Sequence, residues 1–320
     1  MTSLLCPPLL ERLLGAERVL IAGAGGGFDV YAGLPIALAL HAAGREVHLA
    51  NLSFSHRYGL ESGAWVGPHL ARITPETRAA EPAFPERSLA RWLHGRQLPD
   101  TVWAFASVGV KPLRAAYRSL VRRLGVDAIL LVDGGTDILL RGDEAGLGTP
   151  EEDMASLAAV AGLTTVPTRL VACLGFGIDA HHGVSHSLVL ENLAALQRED
   201  GYLGAFSIPA DSPEAAAYLD AVAHARAADP AGASIVQGSV AAALRGEPGD
   251  AVLAERTGGG DLFVNPLMAL YFGVTVEALA ARHLYLDRLA GTGTVREIAS
   301  VIADFREDLP RQRPARPFPH

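Results

Sequence analysis

Near its start the chain reads Arg18-Val19-Leu20-Ile21-Ala22-Gly23-Ala24-Gly25-Gly26-Gly27-Phe28-Asp29. The apolar run 19–22 predicts a buried strand, and the glycines after it predict a tight turn. Residues 31–43, which Gly44 ends, predict a helix, and residues 46–52 predict a second strand. A strand, a helix and a strand in this order form a βαβ unit, which favours a parallel sheet with a right-handed crossover.

The same alternation continues along the chain. The remaining predicted strands are 101–106, 128–132 and 168–174, and the remaining predicted helices are 112–124, 150–161, 186–197, 213–228, 234–244 and the mostly helical region 265–283. Thr149 and Ser185 are the predicted N-caps of the helices that follow them. This order predicts an α/β fold with a doubly wound, mostly parallel sheet and helices on both faces, a Rossmann-like arrangement of three layers. We expect four parallel strands at its centre, namely Val19–Ala22, Val47–Leu49, Ile129–Val132 and Arg169–Cys173.

No linker divides the chain, and we expect one α/β domain over residues 1–308. A loop-rich excursion at 53–99 holds one predicted helix near 88–94. The tail 309–320 is rich in proline and arginine, and we expect it to be loosely ordered.

Composition narrows the function classes. With 35 acidic against 27 basic residues, the chain has no basic footprint, and we expect no nucleic-acid partner. Its two cysteines, Cys6 and Cys173, exclude a disulfide framework, and we expect Cys173 to be packed inside its strand. No apolar stretch approaches the roughly 18 residues of a membrane span, and residues 1–8 do not read as a signal peptide. We therefore expect a cytoplasmic protein without a membrane partner, and a homodimer or larger homo-oligomer because the alanine-rich helix 213–228 suits close packing.

The glycine-rich turn is the first candidate site. Backbone N–H groups at a strand-to-helix junction can receive an anion, so Gly23, Gly25, Gly26, Gly27 and Asp29 are candidate cofactor-binding residues. Phe28 replaces the third glycine of a dinucleotide fingerprint, and Asn51 stands where an acid would hold a ribose. A standard NAD site is therefore disfavoured, and a phosphate or nucleotide site stays open beside the alternative of a turn that only needs positive φ angles.

A second candidate is the acidic turn Asp133-Gly134-Gly135-Thr136-Asp137, which follows the strand 128–132. Its carboxylates suit Mg²⁺ or Mn²⁺, or hydrogen bonds to a substrate with several hydroxyl groups. Turns that leave the carboxyl ends of parallel strands share one edge of the sheet, which favours a site role for Asp133 and Asp137. Glu151, Glu152 and Asp153 are interpreted as acids that stabilise a helix N-terminus and not as ligands.

A third candidate, over 175–186, holds one carboxylate and three imidazoles, those of Asp179, His181, His182 and His186. Carboxylate with imidazole suits metal binding or general acid–base chemistry. We predict Asp179, His181 and His182 as catalytic, and we predict Asp133, Asp137, Asp179 and His186 as metal ligands. We also expect at least one histidine to make only a structural contact, and the three turns to share a crevice.

Two further segments are weaker candidates. His56 and Arg57 could form an anion clamp, and the glycine-rich loop 257–261 is interpreted as flexible. The chain has no Gly-x-Ser-x-Gly elbow, which disfavours nucleophilic catalysis by a serine.

These patterns support three hypotheses. The leading one is an enzyme for a small polar metabolite, a hydrolase or transferase, assisted by Mg²⁺, Mn²⁺ or Zn²⁺, with a histidine as acid–base. The second is a metal-free enzyme that binds a nucleotide or phosphate on the Gly23–Gly27 loop. The third is a non-enzymatic sensor of a small molecule.

Four of these segments, 23–29, 50–54, 133–150 and 175–191, resemble the prokaryotic family called domain of unknown function 1152. The resemblance spans roughly residues 15–275, and the segments that contain Asp133 and Asp179 are its most specific parts. It implies one domain and brings no established activity.

Overall fold

The computed structural model describes residues 5–54, 59–80, 84–230, 232–247, 249–250 and 262–316. The predicted clamp at His56 and Arg57 and the loop 257–261 lie outside these residues.

A mixed sheet forms the centre of the molecule. Within the described residues its nine strands are β1 (Arg18–Gly23), β2 (Glu46–Ser53), β3 (Trp65–Gly67), β4 (Leu70–Ile73), β5 (Val102–Ala106), β6 (Ala128–Asp133), β7 (Thr168–Leu174), β8 (Tyr202–Ser207) and β11 (Leu270–Thr275). Two further short strands, β9 (Gly249–Asp250) and β10 (Phe263–Val264), form a separate pair. Their spatial order is β3-β4-β5-β2-β1-β6-β7-β11-β8.

The centre of this sheet, from β5 through β2, β1 and β6 to β7, is parallel throughout. The predicted parallel strands at 19–22, 47–49, 129–132 and 169–173 are confirmed. In β1, for example, Ile21 lies opposite Leu49 of β2 and Leu130 of β6. The order β5-β2-β1-β6-β7 is Rossmann-like, and antiparallel strands extend it at both ends.

Helices cover both faces of the sheet. They are α1 (Pro8–Leu14), α2 (Asp29–Ala32), α3 (Leu34–Ala42), α4 (Pro85–His94), α5 (Val110–Leu124), α6 (Pro150–Ala161), α7 (His186–Arg198), α8 (Pro213–Ala228), α9 (Ile235–Leu244), α10 (Val276–Arg282) and α11 (Val295–Glu307). Side chains of β1 alternate between two apolar cores, with Leu20 packed towards α5 and α6 and Ile21 packed towards α3 and α8. In the part of the chain that the structure describes, no helix is long and apolar enough to cross a membrane.

Four strands of the sheet differ from the sequence prediction, namely β3, β4, β8 and β11. The region 265–283, predicted as mostly helical, contains a 3-10 turn at Pro266–Ala269, then β11 and only then α10. β11 is apolar and almost wholly buried, and such a short run has no period that separates a strand from a helix. β8 is an edge strand with one buried and two exposed residues, so its apolar pattern is weak. The excursion 53–99 also contributes the short strands β3 and β4 beside its helix.

The predicted helix 31–43 is two helices, α2 and α3, which meet at Gly33. A Cβ atom on Gly33 would lie 2.4 Å from Cγ2 of Ile21, so the backbone approaches β1 closely there. Thr149 and Ser185 are confirmed as the N-cap residues of α6 and α7. Neither side chain bonds to the first turn of its helix, since Thr149 donates to Asp137 and Ser185 bonds to Arg316.

Candidate functional site

The strand order reverses between β1 and β6. From β1 the chain crosses to β2 on one side, and β6 later adds to the other side of β1. In doubly wound sheets the connections diverge at this point and leave a crevice beyond the carboxyl ends of the strands. β1 ends at Gly23 and β6 at Asp133, so the glycine-rich turn and the acidic turn flank this crevice.

Three carboxyl groups meet at this crevice. Asp29 begins α2, Asp133 ends β6, and Asp153 lies in the first turn of α6. One oxygen from each lies within 4.8 Å of the other two, and within the described residues this is the only set of three or more Asp, Glu, His or Cys side chains so close together. We call these residues the acidic triad.

Asp29 joins the first two loops. Its Oδ2 accepts a hydrogen bond from the Gly25 amide at 2.6 Å, and its Oδ1 accepts one from the Gly134 amide at 3.2 Å. A Cβ atom on Gly25 would lie 2.9 Å from Asp29 Oδ2 and 2.7 Å from Asp153 Oδ1. Glycine at this position therefore allows the turn to lie directly against two carboxyl groups.

Asp133 and Asp153 are 3% and 1% exposed. The Oδ2 atom of Asp133 and the Oδ1 atom of Asp153 are buried and have no hydrogen-bond partner. Helix α6 is fixed in place because Ser156 donates to the carbonyl of Ala24 at 2.7 Å. A buried polar atom without a partner costs about 1–3 kcal/mol, so these two oxygens would gain from a bound cation or proton.

Asp153 does lie at a helix N-terminus, as interpreted from the sequence, but it is also buried and belongs to the acidic triad. Glu151 and Glu152 are only partly buried, whereas the run 153–160 is buried throughout. After Asp153 this run carries no charged residue. An acid at the start of an uncharged, helix-length stretch was the feature that could have identified it.

Asp137 and Asp179 lie next to the triad and brace its loops. Asp137 Oδ2 accepts bonds from the amide and the hydroxyl of Thr149, at 2.8 and 3.2 Å. Asp179 Oδ2 accepts a bond from the Thr136 amide at 2.7 Å, which ties the turn after β7 to the turn after β6. Both residues are predicted metal ligands, and both lie outside the triad. Asp179 thus connects the second and third candidate turns, and Asp137 connects the second turn to the start of α6.

All five of these carboxyl groups hold protons more tightly than an ordinary aspartate. Burial raises the pKa of Asp29 from 3.8 to about 7. Burial first, and then repulsion from the neighbouring carboxylates, raises the pKa of Asp133, Asp153 and Asp179 well above the usual range, and burial raises that of Asp137. Two charges 4 Å apart repel by about 4 kcal/mol at an effective dielectric constant of 20. The cluster therefore needs bound protons or a bound cation.

The histidines lie in two different environments. His181 and His182 are exposed, with ring centroids 3.9 Å apart. His181 Nδ1 lies 2.6 Å from the carbonyl oxygen of Ile178, to which only a protonated nitrogen can donate, so Nε2 is the acceptor of the neutral ring. Burial and the neighbouring His181 lower the pKa of His182, while the charge of Asp137 opposes that effect.

His186, a predicted metal ligand, is half-buried and lies outside the triad. Its ring packs edge-on against Phe176 with centroids 5.3 Å apart, and a Cβ atom on Gly177 would lie 2.4 Å from His186 Nε2. Burial lowers the pKa of this ring. His186 therefore packs against the turn after β7, and its surroundings favour the neutral ring.

The glycine-rich turn is packed on both sides. Gly26 has a φ of +91°, and a Cβ atom there would lie 2.7 Å from the Phe54 ring. Asn51 is fully buried and donates to the Gly27 carbonyl and to Glu86, both at 2.8 Å. The position that holds a ribose in dinucleotide-binding proteins thus serves internal packing in this chain.

A family model described as "Protein of unknown function (DUF1152)" matches residues 20–305. The chain therefore belongs to this family. No curated protein matches it.

Proposed function

We propose that this protein is an enzyme that binds one divalent cation through Asp29, Asp133 and Asp153 and acts on a small polar metabolite as a hydrolase or transferase. The observation that carries this proposal is the acidic triad itself, whose buried oxygens on Asp133 and Asp153 have no partner. Buried carboxylates persist where a cation or protons compensate them. The triad also lies where Rossmann-like sheets bind their ligands.

The donor set favours Mg²⁺ or Mn²⁺ over Zn²⁺. All three triad ligands are carboxylate oxygens, which suit hard cations, whereas zinc sites use mainly histidine and cysteine. Three protein ligands leave coordination positions for water and substrate, as hydrolases and transferases that use Mg²⁺ require. The two imidazoles at 181 and 182 lie outside the triad and stay available for proton transfer.

A cation in this position would polarise a substrate oxygen or activate a water molecule. The residues of the chain divide the other tasks. His181 offers an Nε2 acceptor whose orientation is set by the bond from Nδ1 to Ile178, which is the arrangement of a general base. Asp137 and Asp179 brace the loops that carry Asp133 and the histidines.

The structural observations favour this proposal over metal-free phosphate binding. The Gly25 amide already donates to Asp29, and two carboxylates border the turn at Gly25. A phosphate placed there without a cation would meet like charge, which raises its free energy of binding. A sensor without turnover would not need the proton acceptor at His181.

Calorimetric titration of chelator-treated protein with Mn²⁺ and Mg²⁺ tests the proposal. The parent should bind about one equivalent, and Asp153→Asn should bind more than tenfold more weakly because it removes a ligand charge. Glu151→Gln, two residues earlier on the same helix, is the matched control and should bind as the parent does. Metal-dependent turnover is then sought in a panel of phosphate esters and other small polar metabolites. A parent protein that takes up neither cation refutes the proposal.

A further inference from the structure

A second cluster of charged side chains lies outside the acidic triad and includes the C-terminal residues. At its centre is Glu144, which is 0% exposed. Its carboxylate accepts bonds from the amides of Arg141 and Gly142, at 3.1 and 2.8 Å, and from Asn192 Nδ2 at 2.8 Å. Arg313 Nη2 also donates to it and is its ion-pair partner. A buried carboxylate of this kind depends on its cation, since the charge alone is costly to bury.

Arg313 holds the C-terminal segment by main chain and side chain together. Its Nε lies 2.9 Å from Asp143 Oδ1, and its Nη1 lies 3.2 Å from Glu191 Oε2. Its amide donates to the Asp143 carbonyl at 2.7 Å, and its carbonyl accepts from the Ala145 amide at 2.8 Å. The tail, expected to be loosely ordered, is therefore attached to the body at this point.

A second attachment lies three residues further on. The carbonyl of Arg316 accepts hydrogen bonds from the hydroxyls of Ser185 and Ser187, at 3.5 and 3.1 Å, and its amide donates to Ser185 Oγ at 3.3 Å. These serines begin α7, directly after the turn that carries His181 and His182. We name residues 309–316 the C-terminal strap.

The strap contacts two loops, 140–149 and the segment that leads into α7, which adjoin the acidic triad and its neighbours Asp137 and Asp179; we call these five carboxyl groups the acidic site. Residues 140–149 connect Asp137 to α6, which carries Asp153, and Glu144 lies at the middle of this connection. At its end, Thr149 bonds to Asp137. Any change in the course of this connection would therefore move two carboxyl groups of the site.

We propose that the C-terminal strap positions the acidic site, and that Arg313 is its positioning residue through the buried pair with Glu144. The effect on cation binding rests on the proposed function, whereas the effect on loop order does not. Removal of the Arg313 charge leaves Glu144 buried and unpaired, which favours local opening of 136–149 and of 178–187. The hydrogen bonds and ion pairs of Arg313 and Arg316 described above involve no residue of β1 or β2, so these strands should keep their order.

The test compares Arg313→Met, which keeps the aliphatic length, with Arg313→Lys, which keeps the charge. Arg316→Met is the matched control, because that side chain is 65% exposed and pairs with Glu191 rather than with Glu144. Amide hydrogen exchange by mass spectrometry should be about tenfold faster over 136–149 and 178–187 in Arg313→Met, with β1 and β2 unchanged. Mn²⁺ affinity should fall by about tenfold, as for other residues that orient metal ligands. Arg313→Lys should recover most of both effects.

Unchanged exchange over 136–149 in Arg313→Met would overturn the proposal, and so would faster exchange spread evenly over the whole chain. If Arg313→Met does not fold, Asp143→Asn removes the charge of one partner of Arg313 and should give the same local pattern with smaller amplitude. A parent that binds no Mn²⁺ refutes the proposed function, while the exchange data still decide the role of the strap.

Discussion

Replacing Asp153 by asparagine should make the metal-free protein more stable than the metal-free parent. It should reduce the stability that the protein gains from added metal. In chelator, Asp153 is a buried carboxyl group with one unpartnered oxygen and two like-charged neighbours within 4.8 Å. At that distance and an effective dielectric constant of 20, one ionised pair repels by about 3.5 kcal/mol. Protonation relieves part of this repulsion, since burial and the neighbouring carboxylates raise the pKa of Asp153 well above the usual range.

The expected gain is smaller than the full repulsion. Asparagine loses the favourable interaction of an acid with a helix N-terminus, which is worth about 0.3–1 kcal/mol. Its amide group can in turn donate to the unpartnered Oδ2 of Asp133. We expect a net increase of about 1–3 kcal/mol in the free energy of unfolding, which is a few degrees in melting temperature.

The assay is urea and thermal unfolding at pH 8, in chelator and in excess Mn²⁺. The parent should gain stability on adding Mn²⁺, by about 2.7 kcal/mol at 100 times its Kd, and Asp153→Asn should gain much less. In chelator the parent should also lose stability as the pH rises from about 4 to 7. The pKa of Asp29 is about 7 in the folded state against 3.8, so the folded chain binds more protons over that range. An Asp153→Asn protein that is less stable than the parent in chelator, or that gains as much from Mn²⁺, would refute the reasoning.

Three further predictions concern other residues. Asp179→Asn should leave the free energy of unfolding within about 1 kcal/mol of the parent value, because an amide oxygen can still accept the Thr136 bond. The lost charge should lower Mn²⁺ affinity by about tenfold, and equal affinity by calorimetry would contradict this. Gly25→Ala should lower the free energy of unfolding by about 1–3 kcal/mol and weaken Mn²⁺ binding, since its Cβ would lie 2.7 Å from Asp153 Oδ1. The control is Gly63→Ala, whose Cβ would have nothing within 4 Å, and it should change neither quantity in the same denaturation and titration series. Burial lowers the pKa of His283 from 6.5 to about 3, so this residue alone lowers stability by about 1.4 kcal/mol per pH unit as the pH falls below 6.5, which opposes the effect of the acidic cluster. In unfolding measured from pH 6.5 to 4, the free energy of unfolding of His283→Gln relative to the parent should therefore rise by about 1.4 kcal/mol for each pH unit of decrease, and a difference that does not change with pH would contradict this.

The parallel centre of the fold could be predicted because its strands are short apolar runs that end in glycines or acids. β1 and β6 are buried at nearly every position, so each interrupts the helical periodicity around it. The limits of α6 and α8 also match the prediction, since each begins with a proline that marks the first turn. β11 could not be identified in this way, because its pairing with β7 and β8 depends on contacts far away in the sequence.

The acidic site was only partly predictable for a related reason. The rule that turns at one sheet edge converge indicates Asp29 and Asp133, which follow neighbouring parallel strands. Asp153 belongs to a helix, and its place in the triad depends on how far α6 is tilted and shifted over the sheet. That position is set by packing contacts such as the bond from Ser156 to Ala24, which the sequence pattern does not encode.

The location of the acidic triad, whose carboxyl groups repel one another, supports a ligand-binding function more strongly than the residue types of the triad do. Apolar residues at 29, 133 and 153 would remove the repulsion and the unpartnered oxygens, so the carboxyl groups by themselves lower the stability of the fold. Residues that break the rules of stable packing without compensation within the protein mark the places where a ligand supplies it. In this chain the cluster lies at the strand-order reversal. The hydrogen bonds of Asp29 join its own turn to the turn that follows Asp133, and the strap holds the connection that leads to Asp153. A fold that holds three repelling groups together from separate elements has the structure expected of a preorganised cation site.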